Sequence, residues 1–496
     1  MRITNEMRTN TTLRNVNRSK LNLSDIENQM STEKKITRPS DDPIVAIRAL
    51  SLRSSLAEIK IYLKNNIPEA QSWLKVTEDA MDNMNGLLTD VYDYCTQGSS
   101  DQFNSENRSA IIETLKKYRD AIYANANTDY AGRYCFSGFR TDSSFAFLDS
   151  ENPGGKKYEI EEELTGKALS TEKYIANKVD IDTISHIDSA DTPKSCEITR
   201  LRLAYSNCMD TNFSDVDVDG TTYTPTSVSY EDFEALVASG DYANTPDKMY
   251  FIYDKGEIAI SPDLATSVKN AEEIKFTYQK DGFKTDEPKP EMYFNCKDIS
   301  DPLNPHEYTV DDASGNREKQ IITYNINFGQ SLQINTLGCE TLSTDIGRDI
   351  DEMCDSLNRV MVAEEKVSKL KAMRAANSEQ PDEVAKIDSM IEAAQKEVDL
   401  EKDAMKKLFS AEMGKVKNYQ QTVNLQLADL GARSNRLTLT ESRLTEQYTT
   451  FDDLKSKNED AELEETVVQY ASTSTLYQAA LGAASKCVQQ TLLDYI

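Results

Sequence analysis

The chain has 496 residues, 38% of them apolar and 28% charged, with a net charge of −28. That length exceeds one ordinary core, so two to four domains are expected. The acidic balance speaks against a nucleic-acid or anionic-membrane binder, which needs clustered Lys and Arg. The one basic stretch, Arg2, Arg8, Arg14, Arg18 and Lys20 against Glu6, reads as a solvated arm. No apolar run reaches the roughly 18 residues that cross a bilayer, and none follows the first Met as a Sec signal does. Composition alone therefore points to a cytoplasmic protein without membrane insertion.

In chain order, residues 1–37 hold a loose stripe, Leu13, Val16, Lys20, Leu23, Glu27 and Met30. Two of its positions are charged, and the surrounding Asn and Thr favour helix weakly, so this is a helix that needs a partner. The segment RPSDDP, 38–43, then supplies a start signal: Asp42 as N-cap and Pro43 at the first helical position. Ala49, Leu52, Leu56, Ile59 and Leu63 follow at steps of three and four. After Pro68 the pattern resumes as Ile67, Ala70, Leu74, Thr77, Met81, Met84, Leu88, Val91 and Cys95, which predicts a rod of roughly 40 Å closed at Gly98. A stripe at this spacing is packing core rather than a cofactor site. A shorter helix over about 105–128 carries Ile111, Leu115, Tyr118 and Ile122.

From GRYCFSGF, 132–139, the chain turns aromatic and Gly-rich. Short β-like runs follow at Lys157–Glu161, Met249–Tyr253, Ile274–Tyr278, Met292–Phe294 and Ile321–Phe328, one or two β-rich domains between helical halves. Helices return near Asp345 with Ile346, Ile350, Met353, Leu357, Val360, Glu364, Val367 and Leu370. Beyond Gln380 and Pro381 come Val384, Ile387, Ile391, Ala394, Val398, Glu401, Met405 and Leu408, so that 346–408 reads as a charged helical hairpin. Val416, Tyr419, Val423, Leu427, Leu430, Leu437 and Leu444 continue the seam to an acidic break at 455–465. The last stretch is a helix with Val467, Ser474, Leu481, Val488 and Tyr495 at one seam position and Tyr470, Tyr477, Ala484 and Thr491 at the other. Val468, Leu476, Ala479, Ala483 and Leu493 widen its apolar face beyond what one partner covers. It is expected to be covered by the needy N-terminal stretch and by neighbours.

The fold class is mainly α with an inserted β-rich region. The expected spans are an assembly arm at 1–42, the first half of a helical rod at 43–140 and β-rich outer domains at 141–342. A helical hairpin at 343–409, the second rod half at 410–455 and an assembly helix at 456–496 complete them.

The chain offers little chemistry. Its two histidines, His186 and His306, lack a nucleophile context and read as loop residues. The GxGxxG, GxxxxGK[ST], HExxH and GxSxG signatures do not occur. Asp215, Asp217, Asp219 and Gly220 copy the start of an EF-hand loop, but Thr226 stands where its twelfth-position Glu belongs, so a polar turn is expected. Eight scattered cysteines fit neither zinc nor thioredoxin spacing. No catalytic, cofactor or metal residue is assigned, and the chain is not expected to be an enzyme.

The opening MRIT, RPSDDP, NIPEAQSWLKVTEDAM (66–81), GRYCFSG (132–138), LGARSNRL (430–437) and YQAALGAASKCVQQTLLDYI (477–496) together resemble the flagellin superfamily, and within it the hook-filament junction proteins. The resemblance covers about 1–140 and 410–496. It implies an extracellular structural protein, exported unfolded by the flagellar type III apparatus and joining hook to filament, which overrides the cytoplasmic expectation. The implied partners are copies of the chain itself, a neighbouring hook-associated protein, flagellin and a cytoplasmic export chaperone. On this reading Leu13, Val16, Leu23, Met30, Leu476, Tyr477, Leu481, Val488, Leu492, Leu493 and Tyr495 form the assembly interface. Ile67, Leu74, Met81, Met84, Leu88, Val91, Leu427, Leu430, Leu437 and Leu444 form the rod core. Filament flagellin and an extracellular coiled-coil fibre or adhesin are the rival readings. The eight cysteines and the 346–408 hairpin depart from the family pattern.

Overall fold

The computed structural model describes residues 5–100, 103, 107–188, 191–311 and 317–488, with the side chains of 5, 243, 487 and 488 left aside. It is mainly α, with long helices towards both ends of the chain and a β-rich middle. The chain forms two compact units, one of Met1–Ala70, Tyr324–Leu332 and Asn435–Ile496, the other of Gln71–Thr323 and Gln333–Ser434.

In the first unit, helix α1 spans Asn5–Thr32 and α2 spans Pro43–Ile61. The Asp42 carboxylate accepts from the Ile44 and Val45 amides at 2.9 and 3.2 Å, and Pro43 follows it, so the start signal read from RPSDDP is the actual cap. Pro68 does not interrupt the path as expected. The chain passes through a π turn, Tyr62–Asn66, straight into α3, Ile67–Ser99. Proline removes one donor and clashes with the carbonyl four residues back, and a wider turn accommodates both faults. A two-stranded hairpin lies on this turn: Asn66 donates to the Asn325 carbonyl at 2.7 Å, and Tyr62 meets Phe328 edge to face.

In the second unit α3 runs antiparallel to α8, Pro381–Glu459, with Asn85 bonded to Asn424 and Thr89 to Gln420. Gly98 lies inside α3, not beyond its end. A β-carbon there would stand 2.4 Å from the buried Phe409 ring, so glycine admits the close approach of α8. Helix α4, Arg108–Ala126, packs on α7, Asp345–Ala376, through Arg108 with Glu364 and Arg119 with Asp351. The expected boundary at 409/410 falls inside α8, which runs unbroken for 79 residues because Phe409 and Val416 are both core.

The middle is a sandwich of two sheets. Its strands are β1 Lys157–Leu164, β2 Ser170–Ala176, β3 Lys194–Arg202, β4 Val216–Val218, β5 Thr221–Tyr223, β6 Thr226–Val228, β7 Met249–Ile252, β8 Glu257–Ile260, β9 Ile274–Asp281, β10 Asn295–Asp298 and β11 His306–Tyr308. One sheet is antiparallel with order β11-β10-β1-β9-β4-β5; the other has order β2-β3-β8-β7-β6, parallel only at β6-β7. Ile160, Phe276 and Tyr278 of the first pack against Leu201, Phe251 and Ile258 of the second. Helix α5, Tyr230–Ser239, covers the second sheet's other face with Phe233 and Val237, which is why β7 and β8 are buried on both sides and read as apolar runs. Helix α6, Pro262–Lys269, adds Leu264 and Val268 to the core between the sheets. Met292–Phe294 is not a strand: it lies at a 3-10 turn just before β10. Asp219 and Gly220 make the β4-β5 turn, both at positive φ, and Asp217 of β4 accepts from the Gly220 amide, the polar turn expected there.

Ionic contacts tie the sandwich to the helices. Arg200 of β3, 6% exposed, donates to Glu172 at 2.7 Å, to Glu257 at 2.5 Å and to Glu352 of α7. Arg202 reaches Asp349 at 2.5 Å and Glu352 at 3.0 Å. Asp349 also accepts from Lys415 and from the Tyr419 hydroxyl of α8 at 3.0 and 2.6 Å. Burial opposes the Asp349 carboxylate, but Arg202 and Lys415 overcome it and hold the carboxyl below its usual range. Glu412 is the reverse case. Its Oε1 accepts from Lys415 at 2.9 Å while its buried Oε2 has no partner, and burial, with the Asp349 charge beside it, pushes the carboxyl up to about 7.

A folded-state value above the usual 4.5 means that the fold takes up this proton and loses stability as pH rises through that window. Glu412→Gln is therefore expected to stabilise the chain above pH 7, by an amount on the order of 2–3 kcal/mol, and to give no gain below about pH 5. Denaturant midpoints of variant and native protein across pH measure the difference, and a constant offset contradicts the assignment.

The hairpin of α7 and the start of α8 is not solvated all round. Val367, Leu370, Met390 and Val398 pack with Val179, Ile181 and Ile187 of the β2-β3 connection, and Glu397 accepts from the Val179 amide at 2.9 Å. The seven described cysteines are free, and burial pushes the Cys95, Cys208 and Cys354 thiols up to about 12. His186 is an exposed loop residue; His306 begins β11 and meets Tyr308 edge to face.

Candidate assembly surface

Helix α9, Leu463–Val488, lies against α1 within the first unit. The pair is fixed at its base, where both long helical paths break. Glu33 turns with φ of 55°, Lys34 and Asp460 form an antiparallel bridge, the Lys35 amide donates to the Glu459 carbonyl at 2.8 Å and the Ala461 amide to that of Glu33 at 2.9 Å. The Glu459 carboxylate, its side chain 3% exposed, lies between the Arg53 guanidinium and the Lys34 ammonium. Those hydrogen bonds, Arg53 foremost, hold its carboxyl below the ordinary value against the cost of burial.

The seam between α1 and α9 differs from the one expected. On α1 the shielded positions are Thr12, Val16, Ser19, Leu23, Ile26 and Met30, whereas Leu13, Lys20 and Glu27 face outward. The helix keeps the Val16, Leu23, Met30 line and pairs it with the neighbours on the other side, because burying Lys20 and Glu27 unpaired is costly. On α9 the shielded line is Thr466, Tyr470, Ser474, Tyr477 and Ala484, and Val467 and Leu481 are exposed. Of the candidate interface residues, Val16 is buried, Leu23, Met30 and Tyr477 are half-buried, and Leu13, Leu476 and Leu481 are exposed. The Val488 side chain and Leu492, Leu493 and Tyr495 lie outside the described residues.

The shielded line thus holds Val16, Leu23, Ile26 and Met30 on α1 but Thr, Tyr, Ser and Ala on α9, and further large apolar side chains remain outside it. Leu463, Val467, Val468, Leu476 and Leu481 line α9, Met7, Leu13 and Leu21 line α1, and Ile44, Ile47 and Leu50 line α2, all of them exposed. A two-helix pair that leaves so much apolar surface in water has the form of an interaction surface. Of the candidate rod residues, Ile67, Leu74, Met81, Met84, Leu88, Val91, Leu430, Leu437 and Leu444 are buried, and Leu427 is half-buried. Reading the sequence missed Ile44, Ile47 and Leu50, whose steps of three directly after the Asp42 cap were the available signal.

The sequence profile of the bacterial flagellin N-terminal helical region matches residues 3–141. Flagellar hook-associated protein 3 of Salmonella typhimurium is 24% identical over 200 residues, which are 39% of this chain and 63% of that one. The protein of the same name from Escherichia coli K12 is 26% identical over 145 residues, 29% of this chain and 45% of the relative. The matched part of the chain thus spans less than two thirds of these curated relatives. The crystal structure of flagellar hook-associated protein 3 from Legionella pneumophila superposes with a TM-score of 0.32 at 11% identity, over 82% of this chain and 98% of the other, a likeness too slight to weigh. Residues 3–141 therefore match the bacterial flagellin N-terminal helical region, and part of the chain is similar to flagellar hook-associated protein 3.

Proposed function

We propose that this chain is a structural component of the bacterial flagellum that forms a junction layer between hook and filament after export by the flagellar type III apparatus. The observation that carries the reading is the α1-α9 pair, whose outer faces hold large apolar side chains exposed in the isolated chain. Copies of the chain, a neighbouring hook-associated protein and flagellin cover those faces in the assembly, and a cytoplasmic chaperone covers them before export. The role is mechanical, with no reaction assigned.

Ordering such helices on association costs at least about 2–5 kcal/mol, and burying several Leu and Val side chains at roughly 1.5–3 kcal/mol each offsets it. Deleting residues 477–496 tests the reading. The expected result is a chain that is exported but builds no junction, with flagellin shed to the medium and bare hooks on the cell. A normal filament in that strain overturns it. Antibody labelling confined to the hook-filament border supports the junction role, and labelling along the filament favours the flagellin alternative.

A further inference from the structure

The second unit encloses a cavity of about 780 Å³ between β3, the β7-β8 turn, α4 and α7. In a chain of net charge −28 this is a local exception, because its lining holds eight Lys and Arg against seven Asp and Glu. Most of those carboxylates are already engaged. Arg200 holds Glu172, Glu257 and Glu352, Arg119 holds Asp351, and Lys255 holds Asp355.

Two cations at the wall lack such partners. Among the described residues, neither Arg348 nor Lys284 makes an ion pair. Arg348 donates through Nη2 to the Lys255 carbonyl at 2.5 Å and the Gly256 carbonyl at 3.4 Å, and its buried Nε meets no acceptor. Burial, with the Arg202 and Arg200 charges nearby, depresses its basicity; Glu257 opposes this but is itself committed to Arg200. A smaller adjoining cavity shares Arg119, Ser206, Asn207, Lys284, Arg348 and Asp351 with the larger one, so these groups stand where the two meet. Arg348 is half-buried; its sealed Nε without an acceptor and its charge without an ion-pair partner are unfavourable, and donors from α4, α7 and two loops line one place.

We propose that this place binds an oxyanion of the phosphate class, free or as the monoester of a small polar compound, seated on Arg348 and flanked by Lys284, Arg119 and Asn207. A tetrahedral dianion accepts from several directions at once and answers both unpaired cations, which a single carboxylate does not. The polar remainder of the cavity suits a hydroxylated rather than an apolar appendage. The proposal is independent of the junction role.

Calorimetric titration of the full chain with inorganic phosphate, and separately with glucose 6-phosphate, tests it at constant ionic strength. Saturable binding is expected, with a melting shift of about 2–4 °C beyond that of matched chloride. Tighter binding of the sugar phosphate assigns the monoester, and equal binding assigns the free ion. Arg348→Met, which replaces a half-buried cation by an uncharged unbranched side chain, is expected to remove the binding while circular dichroism stays native. Lys284→Ala, at an exposed position, is expected to weaken affinity at least several-fold and carries the test if the first variant does not fold. No saturable binding by the native chain, or the same affinity in Lys284→Ala, overturns the proposal.

Discussion

Arg200→Ala is expected to destabilise the second unit by about 3–5 kcal/mol, the usual cost of removing one partner from a buried ionic cluster. The reason is geometric. Oxygens of Glu172, Glu257 and Glu352 lie within 4.8 Å of one another, and the Arg200 guanidinium is the group that reaches all three. That arrangement also explains why three carboxylates in ligand range read as an ion-pair cluster and not as a metal site. Without Arg200 the three largely buried carboxylates repel each other, and the variant loses stability most where all are ionised. Acidification protonates them, so the gap between variant and native protein is expected to narrow as pH falls through the carboxylate range. Arg200→Met combined with Gln at all three Glu positions removes the charges together and is expected to recover most of the loss. The labelling rate of Cys208, buried in the sandwich core, reports opening of this unit by mass spectrometry. A single variant labelled no faster than the native chain contradicts the argument.

How much of this could be seen beforehand depended on whether the signal was periodic. The line from Ile67 to Cys95 was legible because its residues sit at helical steps and bury one face. The Asp42-Pro43 start was legible because capping is local chemistry. Strands β2 and β3 were not: they carry Glu172, Lys173, Arg200 and Arg202, and read as polar segments. Their charges are buried only because Asp345, Asp349 and Glu352, spaced along one face of α7, arrive from 150 residues away, which no local pattern shows. The α1-α9 seam failed for a related reason. Thr, Ser, Ala and Tyr give weak periodicity, so the larger outward-facing Leu13, Val467 and Leu481 dominated the pattern. On α9 the line of large aliphatic side chains was the one left for something other than its partner helix.

That division yields the second large effect, because it separates folding from assembly. Val468, Leu476 and Leu481 are 68%, 62% and 44% exposed, so replacing all three by Ser is expected to change the stability of the isolated chain little, within about 0.5 kcal/mol per site. In the proposed assembly the same three side chains are covered, and their loss removes on the order of 4–6 kcal/mol per subunit contact, about a thousandfold or more in association. The triple variant should therefore be exported and give a native circular dichroism spectrum, yet leave cells with hooks and no filaments. Tyr470→Asp with Tyr477→Asp strikes the inner seam instead, burying charge between α1 and α9, and should loosen the pair in the isolated chain as well as block assembly. Protease protection of residues 5–32 reads the pair directly, intact in the first variant and lost in the second. If the triple Ser variant builds normal filaments, the outer face of α9 is not the assembly surface.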